Sequence, residues 1–396
     1  MGASNQPDSP SLEETQMSCA RNRWKVTLPL AALCLTAALV APARARAADP
    51  SAPALTIRKV DASATAVRSY WTEERMRNAR PMDLPLLGPR SGAGLQTRGS
   101  KPSGAVLVAV SGLPGDEPRE VRIPASELKG RRSSRGRALA PRAGTHPFAF
   151  TGYSAFPESI YTVFPHSAIG KLFHTVPGFG DFVCTAAVIN SENRSLVWSA
   201  GHCLGTFGIF HQNLLFVPAR RQGEAPFGSW TAEAVVIPPQ WLFGFIAEYD
   251  YGAFVAARGG NDDQCIADAV GFLGFLANAP REQHWHVFGY PALPPFDGET
   301  QEICATVYGG DDLPTGGPGD PPTRGVGCDH TAGTSGGPWL VDFSGEAGMT
   351  NLVNGSSSYR YTSPPPELEK IYGPYYGHVT MAIREAAQHH PVPGCP

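Results

Sequence analysis

The sequence predicts an all-β protein, built from short strands in barrels or a sandwich and ending in one short helix. Three observations favour this fold class. Pro and Gly are abundant among the 396 residues (38 and 44), and only 17% of the residues are charged. Short apolar runs are separated by clusters of Gly, Pro, Asn and Asp, without helical patterns between them. Only residues 377–388, near the C-terminus, have a helical pattern.

The N-terminus has the pattern of an export signal. Arg21, Arg23 and Lys25 precede an apolar run over residues 26–40, and small residues follow. We therefore predict that residues 1–47 are a signal peptide and that the mature protein is secreted, extracellular and not bound to the membrane. An uncleaved membrane anchor is the alternative, although the apolar run is marginal for spanning a bilayer.

Two segments with opposite charge follow the export signal. Residues 48–144 contain 17 Lys and Arg against 9 Asp and Glu, whereas residues 145–396 contain 10 against 23. A basic segment tethered to an acidic one can associate with it electrostatically. The acidic segment is a poor candidate for nucleic-acid binding, so we expect no nucleic-acid partner.

The basic segment has the composition of a propeptide. It is rich in Arg, Pro, Ala and Ser, and its basic run at residues 129–137 is typical of an exposed, cleavable site. We predict a largely irregular propeptide over residues 48–144, with a helix near 67–76 and a strand near 105–110. A permanent disordered linker is the alternative.

The compact domain is expected over residues 145–396. Its strand candidates are apolar runs bounded by turn residues, and the turn at residues 190–193 predicts a hairpin. The candidates lie at residues 165–173, 183–189, 195–199, 214–217, 231–237, 249–256, 286–290, 302–307, 339–343 and 351–358.

Six cysteines follow the export signal, and an even number in an exported protein predicts three disulfides. They are Cys184, Cys203, Cys265, Cys304, Cys328 and Cys395. The Cys-x-x-Cys spacing typical of zinc sites does not occur, and we expect no metal and no cofactor. A calcium site at Asp311, Asp312 and Asp320 is an alternative to a flexible acidic loop there.

A glycine-rich stretch at residues 328–338 (CDHTAGTSGGP) surrounds Ser335, which we interpret as a catalytic nucleophile. A serine hydroxyl needs a base, a group that orients the base, and donors for the oxyanion that forms. Glycines allow a sharp turn, so the backbone N–H groups of Gly333 and Ser335 can point at one spot. For this stretch alone, a purely structural turn is the alternative.

The candidate base is His202, which follows a buried strand in the stretch VWSAGHC. An imidazole can both take and return a proton near neutral pH. The next residue, Cys203, can pair with Cys184 and so fix the loop that carries the histidine. A packed or surface histidine is the alternative.

The candidate orienting group is Asp250, at the start of the apolar run over residues 250–256. A carboxylate placed there is expected to be partly buried, and a buried charge needs a partner such as a histidine N–H. A strand-edge aspartate facing solvent is the alternative. Asp262 and Asp263 compete for the role but follow Gly259-Gly260-Asn261, which indicates a loop.

These three stretches resemble the signatures of chymotrypsin-like (trypsin-like) serine peptidases, in the order His, Asp, Ser. The likeness is closest to secreted bacterial members, the group that contains glutamyl endopeptidases, and it covers about residues 150–390. The resemblance implies two antiparallel β-barrels with the active site in the cleft between them. It also implies that His202, Asp250 and Ser335 form a catalytic triad and that Gly333 and Ser335 supply the oxyanion hole.

The resemblance further implies two disulfides, Cys304–Cys328 and Cys265–Cys395. It implies substrate-binding residues at Asp329, Ser358 and Arg360. Asp329 lies six residues before Ser335, where trypsin-like enzymes carry the acid that selects Lys or Arg. Arg360 can close the pocket, neutralise Asp329 or bind an acidic substrate side chain, and the sequence leaves these alternatives open.

One departure from the family concerns activation. Many animal members have an aspartate before the serine, where it pairs with a freed N-terminal amine, but here that residue is Thr334. Because Thr334 has no charge, we expect a propeptide to act differently, by covering the cleft or assisting folding.

We therefore predict a secreted, monomeric serine endopeptidase (a hydrolase) that is made as a zymogen. Its expected partners are polypeptide substrates and its own propeptide. A catalytically silent binding protein with the same fold is one alternative. An α/β-hydrolase esterase is another, because GTSGG also fits the G-x-S-x-G nucleophile elbow and Asp342 and His378 follow Ser335 in the required order.

Overall fold

The computed structural model describes residues 54–86, 107–110, 120–123, 148–344, 350–362 and 369–396. These residues belong to one compact unit, Pro50–Pro396. The predicted signal peptide and the basic run at residues 129–137 lie outside the described residues. Within the described ranges, no helix is both long enough and apolar enough to span a membrane.

Strands dominate the described part of the chain. The strands are β1 (Thr56–Lys59), β2 (Arg80–Pro81), β3 (Leu84–Leu86), β4 (Leu107–Val110), β5 (Glu120–Ile123), β6 (Phe150–Ser154), β7 (Ile169–Val176), β8 (Gly180–Ile189), β9 (Leu196–Ser199), β10 (Gly205–Thr206), β11 (Ile209–Phe210), β12 (Gln212–Pro218), β13 (Trp230–Ile237), β14 (Gly252–Ala256), β15 (Gly274–Ala277), β16 (His284–Gly289), β17 (Glu302–Asp312), β18 (Thr323–Gly327), β19 (Pro338–Val341), β20 (Leu352–Ser356), β21 (Tyr359–Tyr361) and β22 (Lys370–Gly373). The α-helices are α1 (Ala64–Tyr70), α2 (Glu73–Asn78), α3 (Pro239–Leu242), α4 (Ile266–Val270) and α5 (His378–Gln388).

Six strands form a closed antiparallel barrel. Their order is β12, β7, β8, β9, β14 and β13, and β13 pairs with both β14 and β12 to close the ring. The predicted hairpin is β8–β9. Apolar side chains from these strands fill the barrel, among them Leu172, Val188, Val197, Val235 and Phe254, all at most 1% exposed. Burial of that kind is the main stabilising contribution to such a fold.

A second sheet forms the other body of the fold. Its strand order is β3, β21, β22, β18, β17, β16, β19, β20, β15, β4 and β5, with β6 on the free side of β17. Most pairs are antiparallel, but β15–β20 and β3–β21 are parallel. Trp285, Val287, Val326 and Trp339 fill its core. The molecule is therefore all-β with two β bodies and the short C-terminal helix α5, which confirms the predicted fold class.

The predicted strands are shifted at two places by short 3₁₀ turns. The strand expected at residues 165–173 begins only at Ile169, because His166–Ala168 forms a 3₁₀ turn. The strand expected at 249–256 begins at Gly252, because Ala247–Tyr249 turns in the same way.

The segment upstream of residue 145 has more regular structure than its composition indicates. Strand β1 pairs with β13, and β4–β5 extends the second sheet through β15. The helix expected at 67–76 is two helices, α1 and α2, interrupted at Trp71–Thr72. The Thr72 hydroxyl accepts a hydrogen bond from Arg75 N (3.2 Å) and so begins a new helix. The prediction that this segment is largely irregular is therefore corrected for the described residues. The propeptide boundary at residue 144 stays a prediction.

Three disulfides are present among the described residues. They join Cys184 to Cys203, Cys265 to Cys395 and Cys304 to Cys328, with Cα–Cα distances of 6.3, 5.8 and 5.6 Å. These are the predicted pairs. The first links β8 to the turn that carries His202, and the second ties the C-terminal tail to the start of α4.

Candidate active site

His202 and Asp250 meet at the ends of two paired strands. His202 lies in a 3₁₀ turn, Gly201–Cys203, just after β9, and Asp250 lies just before β14. The register pairs Gly252 with Ser199, so both strand ends lie side by side. His202 Nδ1 is 2.7 Å from Asp250 Oδ2, and the His202 backbone N–H donates to Asp250 Oδ1 at 2.7 Å. Both side chains are buried, so the carboxylate fixes the imidazole plane.

Ser358 lies against the same carboxylate. Its hydroxyl donates to Asp250 Oδ2 at 2.5 Å, and its backbone N–H donates to the Tyr372 carbonyl at 2.9 Å. The side chain of Ser358, a residue predicted to bind substrate, is directed to Asp250, and the residue also lines the cavity next to Ser335. A hydroxyl there orients and stabilises the acid, which is a positioning role.

Two glycines make the sharp turn around Ser335. Gly333 has φ +98°, and a Cβ there would lie 2.6 Å from the Tyr290 carbonyl oxygen. Gly336 has φ +80°, and a Cβ there would lie 2.0 Å from Ser199 Oγ. Any other residue would be both strained and crowded at these positions.

The turn is fastened to the first barrel beside the histidine loop. The Ser335 carbonyl accepts a hydrogen bond from Thr185 N at 2.8 Å, one residue after Cys184. The Ser335 hydroxyl donates to the Met82 carbonyl at 3.1 Å. His202 Nε2 has no hydrogen-bond partner among the described residues. The serine hydroxyl is therefore engaged by the upstream segment rather than by the histidine.

The Met82 carbonyl also accepts from one predicted oxyanion donor. The Gly333 backbone N–H donates to it at 2.9 Å. The carbonyl of an upstream residue therefore lies where Ser335 Oγ and an oxyanion donor meet.

A small cavity opens next to Ser335. It is lined by Asp83, His330, Thr331, Thr334, Ser335, Ser357, Ser358, Tyr359, Arg360 and Ile371. Arg360 Nη2 lies 3.3 Å from Asp83 Oδ2 within it. The Arg360 side chain is only 14% exposed, so its charge faces the cavity wall rather than bulk solvent.

Asp329, which was predicted to bind substrate, is not among the residues that line this cavity. Its Oδ1 is 3.7 Å from Cys304 Sγ, and its carboxylate packs next to Gly152 of β6. Burial raises the pKa of the carboxyl. Asp329 and Arg360 form no ion pair with each other, so the structure does not favour neutralisation of one by the other.

His330 and Thr334 form the back of the cavity. His330 Nδ1 is 3.2 Å from Thr334 Oγ1, and burial lowers the His330 pKa to about 3. The imidazole is therefore neutral at physiological pH. Thr334 has a neutral partner and forms no ion pair.

The three aspartates of the acidic loop have separate partners. Asp311 Oδ1 pairs with Arg281 Nε at 2.6 Å, Asp312 accepts from Tyr359, and Asp320 accepts from Tyr249. They do not converge on one point. Among the described residues, the groups of His, Cys and carboxylate side chains close enough to share a metal all contain disulfide-bonded cysteines.

The structure disfavours the α/β-hydrolase alternative. A nucleophile elbow joins a strand to a helix, whereas strand β19 follows Ser335 after two glycines. His378 is exposed at the start of α5.

Comparisons with known proteins found several solved structures similar to this chain. The protease Anisep from Arthrobacter nicotinovorans is 34% identical, with a TM-score of 0.50, over 60% of this chain and 99% of that protein. The thermostable serine protease AL20 from an extremophilic microorganism is 32% identical, with a TM-score of 0.49, over 59% and 100%. A Glu endopeptidase is 16% identical, with a TM-score of 0.43, over 60% and 96%. No protein-family model and no curated protein sequence matches the chain. Given one-third identity over nearly the whole length of a solved protease, the chain belongs to the chymotrypsin-like serine peptidases.

Proposed function

We propose that the protein is a secreted serine endopeptidase, made as a precursor, that cleaves polypeptides through an acyl-enzyme. The observation that carries the proposal is the buried pair His202–Asp250, joined by two hydrogen bonds of 2.7 Å. It lies beside a serine that two left-handed glycines hold on a sharp turn. Membership of a peptidase family supports the reaction class.

In the proposed reaction, Ser335 Oγ attacks the carbonyl carbon of the scissile bond while His202 Nε2 takes its proton. Asp250 keeps the Nδ1–H tautomer in place and stabilises the imidazolium. The N–H groups of Gly333 and Ser335 stabilise the oxyanion. His202 then gives the proton to the leaving amine, which leaves an acyl-serine. Water, activated by the same histidine, hydrolyses this ester and returns the proton to Ser335.

We assign acidic substrate side chains to the cavity beside Ser335. Arg360 is the cation in its wall, and Asp83 of the upstream segment already pairs with it. His330 is neutral there, so it does not add a second charge. Of the three roles left open for Arg360, binding an acidic side chain agrees best with these contacts.

Several features support secretion and processing. Three disulfides are typical of proteins in oxidising compartments. The upstream segment contacts Ser335 through Met82, as expected of a propeptide that covers the cleft. We propose that the active form is monomeric, needs no cofactor and has lost residues 48–144.

The test is hydrolysis of internally quenched peptides by the secreted, processed protein. Ser335→Ala and His202→Ala are each expected to lower kcat on the order of 10⁶-fold, because the triad acts as a unit. His378→Ala is the matched control, since His378 is exposed on α5, and it should retain full activity.

If His378→Ala lost activity while His202→Ala kept it, the esterase alternative would be favoured. Absence of hydrolysis by processed wild-type protein across a mixed peptide library would favour the silent binding protein. Full activity of secreted protein that still carries residues 48–144 would contradict the precursor claim.

A further inference from the structure

We propose that residues 54–86 act as an intramolecular inhibitor that occupies the active-site cleft in the direction opposite to a substrate. The inference rests on the proposed function, because it assigns regulation to the same Ser335 site.

The anchor is an apolar contact on the outside of the first barrel. Val67 of α1 and Trp71, which directly follows α1, are 2% and 4% exposed. They pack on Phe173, Leu215 and other apolar side chains of β7, β8 and β12. Trp71 Nε1 also donates to the Asn213 carbonyl at 2.6 Å. A buried tryptophan with a satisfied N–H is typical of a specific interface.

Polar contacts fix this anchor in one position. Arg75 pairs with Asp181 of β8 at 3.0 Å, and the Tyr70 hydroxyl donates to the same carboxylate at 2.7 Å. Glu73 pairs at 2.9 Å with Arg220, whose side chain is only 1% exposed. The buried guanidinium of Arg220 needs acidic partners. The upstream segment supplies one, and Glu299 lies 3.9 Å away as the other.

From this anchor the chain crosses the catalytic centre. Strand β2 pairs with Phe182–Val183 of β8, and Met82 N donates to the Val183 carbonyl at 2.9 Å. The Met82 carbonyl then accepts from Gly333 N and Ser335 Oγ. Strand β3 continues along β21. The backbone is therefore bound on both sides of Ser335.

The side chain of Asp83 blocks the cavity as well. It forms part of the cavity lining beside Ser335 and pairs with Arg360 at 3.3 Å. A substrate residue cannot enter that space while Asp83 is there.

The direction required of a substrate follows from the position of His202. His202 must protonate the leaving nitrogen, so the residues after the scissile carbonyl have to leave on the histidine's side. We infer that this side is β8, because Cys203, next to His202, is bonded to Cys184, which follows Val183. The residues before the scissile bond then lie along β21.

The upstream segment runs in the direction opposite to that of a substrate. Residues 80–81, before Met82, lie along β8, and residues 84–86, after it, lie along β21, with both pairings parallel. The nitrogen that follows the Met82 carbonyl belongs to Asp83 and leads away from the histidine's side. The Met82 carbonyl therefore occupies one oxyanion donor, Gly333 N, without the Met82–Asp83 bond being placed for cleavage, and the segment inhibits instead of reacting.

The experiment measures how fast a fluorophosphonate probe labels Ser335 in the intact secreted chain, before residues 54–86 are removed. Trp71→Ala removes the anchor and is expected to speed labelling at least about tenfold, since truncating a buried tryptophan costs more than that factor in docking. Asp83→Ala frees the cavity and should speed labelling by a smaller factor. Glu74→Ala, at an exposed position of α2, is the matched control and should label at the wild-type rate.

Intact wild-type protein is also incubated alone and its mass is followed. We expect no Ser335-dependent cleavage at Met82–Asp83 or Asp83–Leu84. Such cleavage would overturn the proposal, because it would make the segment a substrate. Equal labelling rates in wild type, Trp71→Ala and Asp83→Ala would also overturn it while leaving the peptidase function intact. Absence of labelling in every variant, and in protein freed of the segment, would instead overturn the peptidase proposal and this one with it.

Discussion

Asp250 determines how His202 is oriented, because both of its oxygens are used. Oδ1 accepts the His202 backbone N–H, and Oδ2 accepts from the His202 ring and from Ser358. The motifs around His202, Asp250 and Ser335 indicate these three residues from the sequence alone. The contact of Ser358 with Asp250 spans 108 positions along the chain. No local pattern shows it, so only the three-dimensional structure gives Ser358 its positioning role.

Arg360 is expected to select acidic substrate side chains. Arg360→Gln removes a charge-assisted bond, which is worth roughly 10- to 100-fold. We therefore expect kcat/KM to fall by that factor for peptides with Glu or Asp at the cleavage site. For the matching Gln peptides the change should stay below about threefold.

The measurement is competitive cleavage of a peptide library by processed protein. Arg221→Gln serves as the control, because Arg221 pairs with Glu158 at the surface and does not line the cavity. If the wild-type protein preferred Lys or Arg at the cleavage site, the assignment of Arg360 would be contradicted. Asp329 would then be the candidate specificity residue.

At the level of secondary structure, short apolar runs predict the first barrel well and the second sheet less well. Strand β18 (TRGVG) is the clearest example of a missed element. Its Arg324 is fully buried, a rare position for an arginine. Its guanidinium donates to Asn354 Oδ1 at 2.9 Å and lies over the rings of Trp285 and Tyr375. These partners come from distant parts of the chain, so the strand cannot be predicted from its own residues.

Upstream, the strand predicted near residues 105–110 corresponds to β4, whereas β1 and β2 were missed for the same reason as β18. Strand β1 (TIRK) and strand β2 (RP) have no apolar alternation of their own and obtain their partners from β13 and β8. The charge difference between the basic and the acidic segment predicts attraction. In the structure, however, the upstream segment contributes both cations and anions to the ion pairs. Arg75 pairs with Asp181, whereas Glu73 and Asp83 pair with Arg220 and Arg360. Docking therefore depends on specific pairs rather than on net charge.

Considered as a whole, the fold buries several histidines in neutral form. Burial lowers the pKa of His211 to about 4 and that of His330 to about 3, and it lowers the pKa of His174 well below its ordinary value. The ring centroids of His174 and His211 are 4.8 Å apart, and the rings are stacked. The nearby His202 also lowers the pKa of each. In the unfolded chain these groups would take up protons below about pH 6.5.

Acid should therefore destabilise the protein before its carboxylates titrate. Because the folded-state pKa values are lowered, the stabilisation is fully present above about pH 6.5. It is lost as the pH falls toward 4, by up to about 1.4 kcal/mol per pH unit for each histidine. We expect the thermal midpoint to be flat between pH 7 and 8 and to fall steadily between pH 6 and 4.

Calorimetry across this pH range checks the expectation. His174→Phe should flatten the fall, since it removes one titrating ring and keeps an aromatic side chain beside Phe182. His389→Gln, at a half-exposed surface position, is the matched control. A midpoint that stays constant down to pH 4 would contradict the neutral burial of these rings.

The most direct test of Ser335 as the nucleophile is to identify the residue that a fluorophosphonate modifies in protein freed of residues 48–144. Peptide mapping by mass spectrometry is expected to find a single adduct on Ser335. Ser335→Ala should abolish it, and His202→Ala should slow its formation by orders of magnitude, since the hydroxyl then has no base. An adduct on another serine, or a folded and processed protein that forms none, would contradict the assignment of Ser335 as the nucleophile.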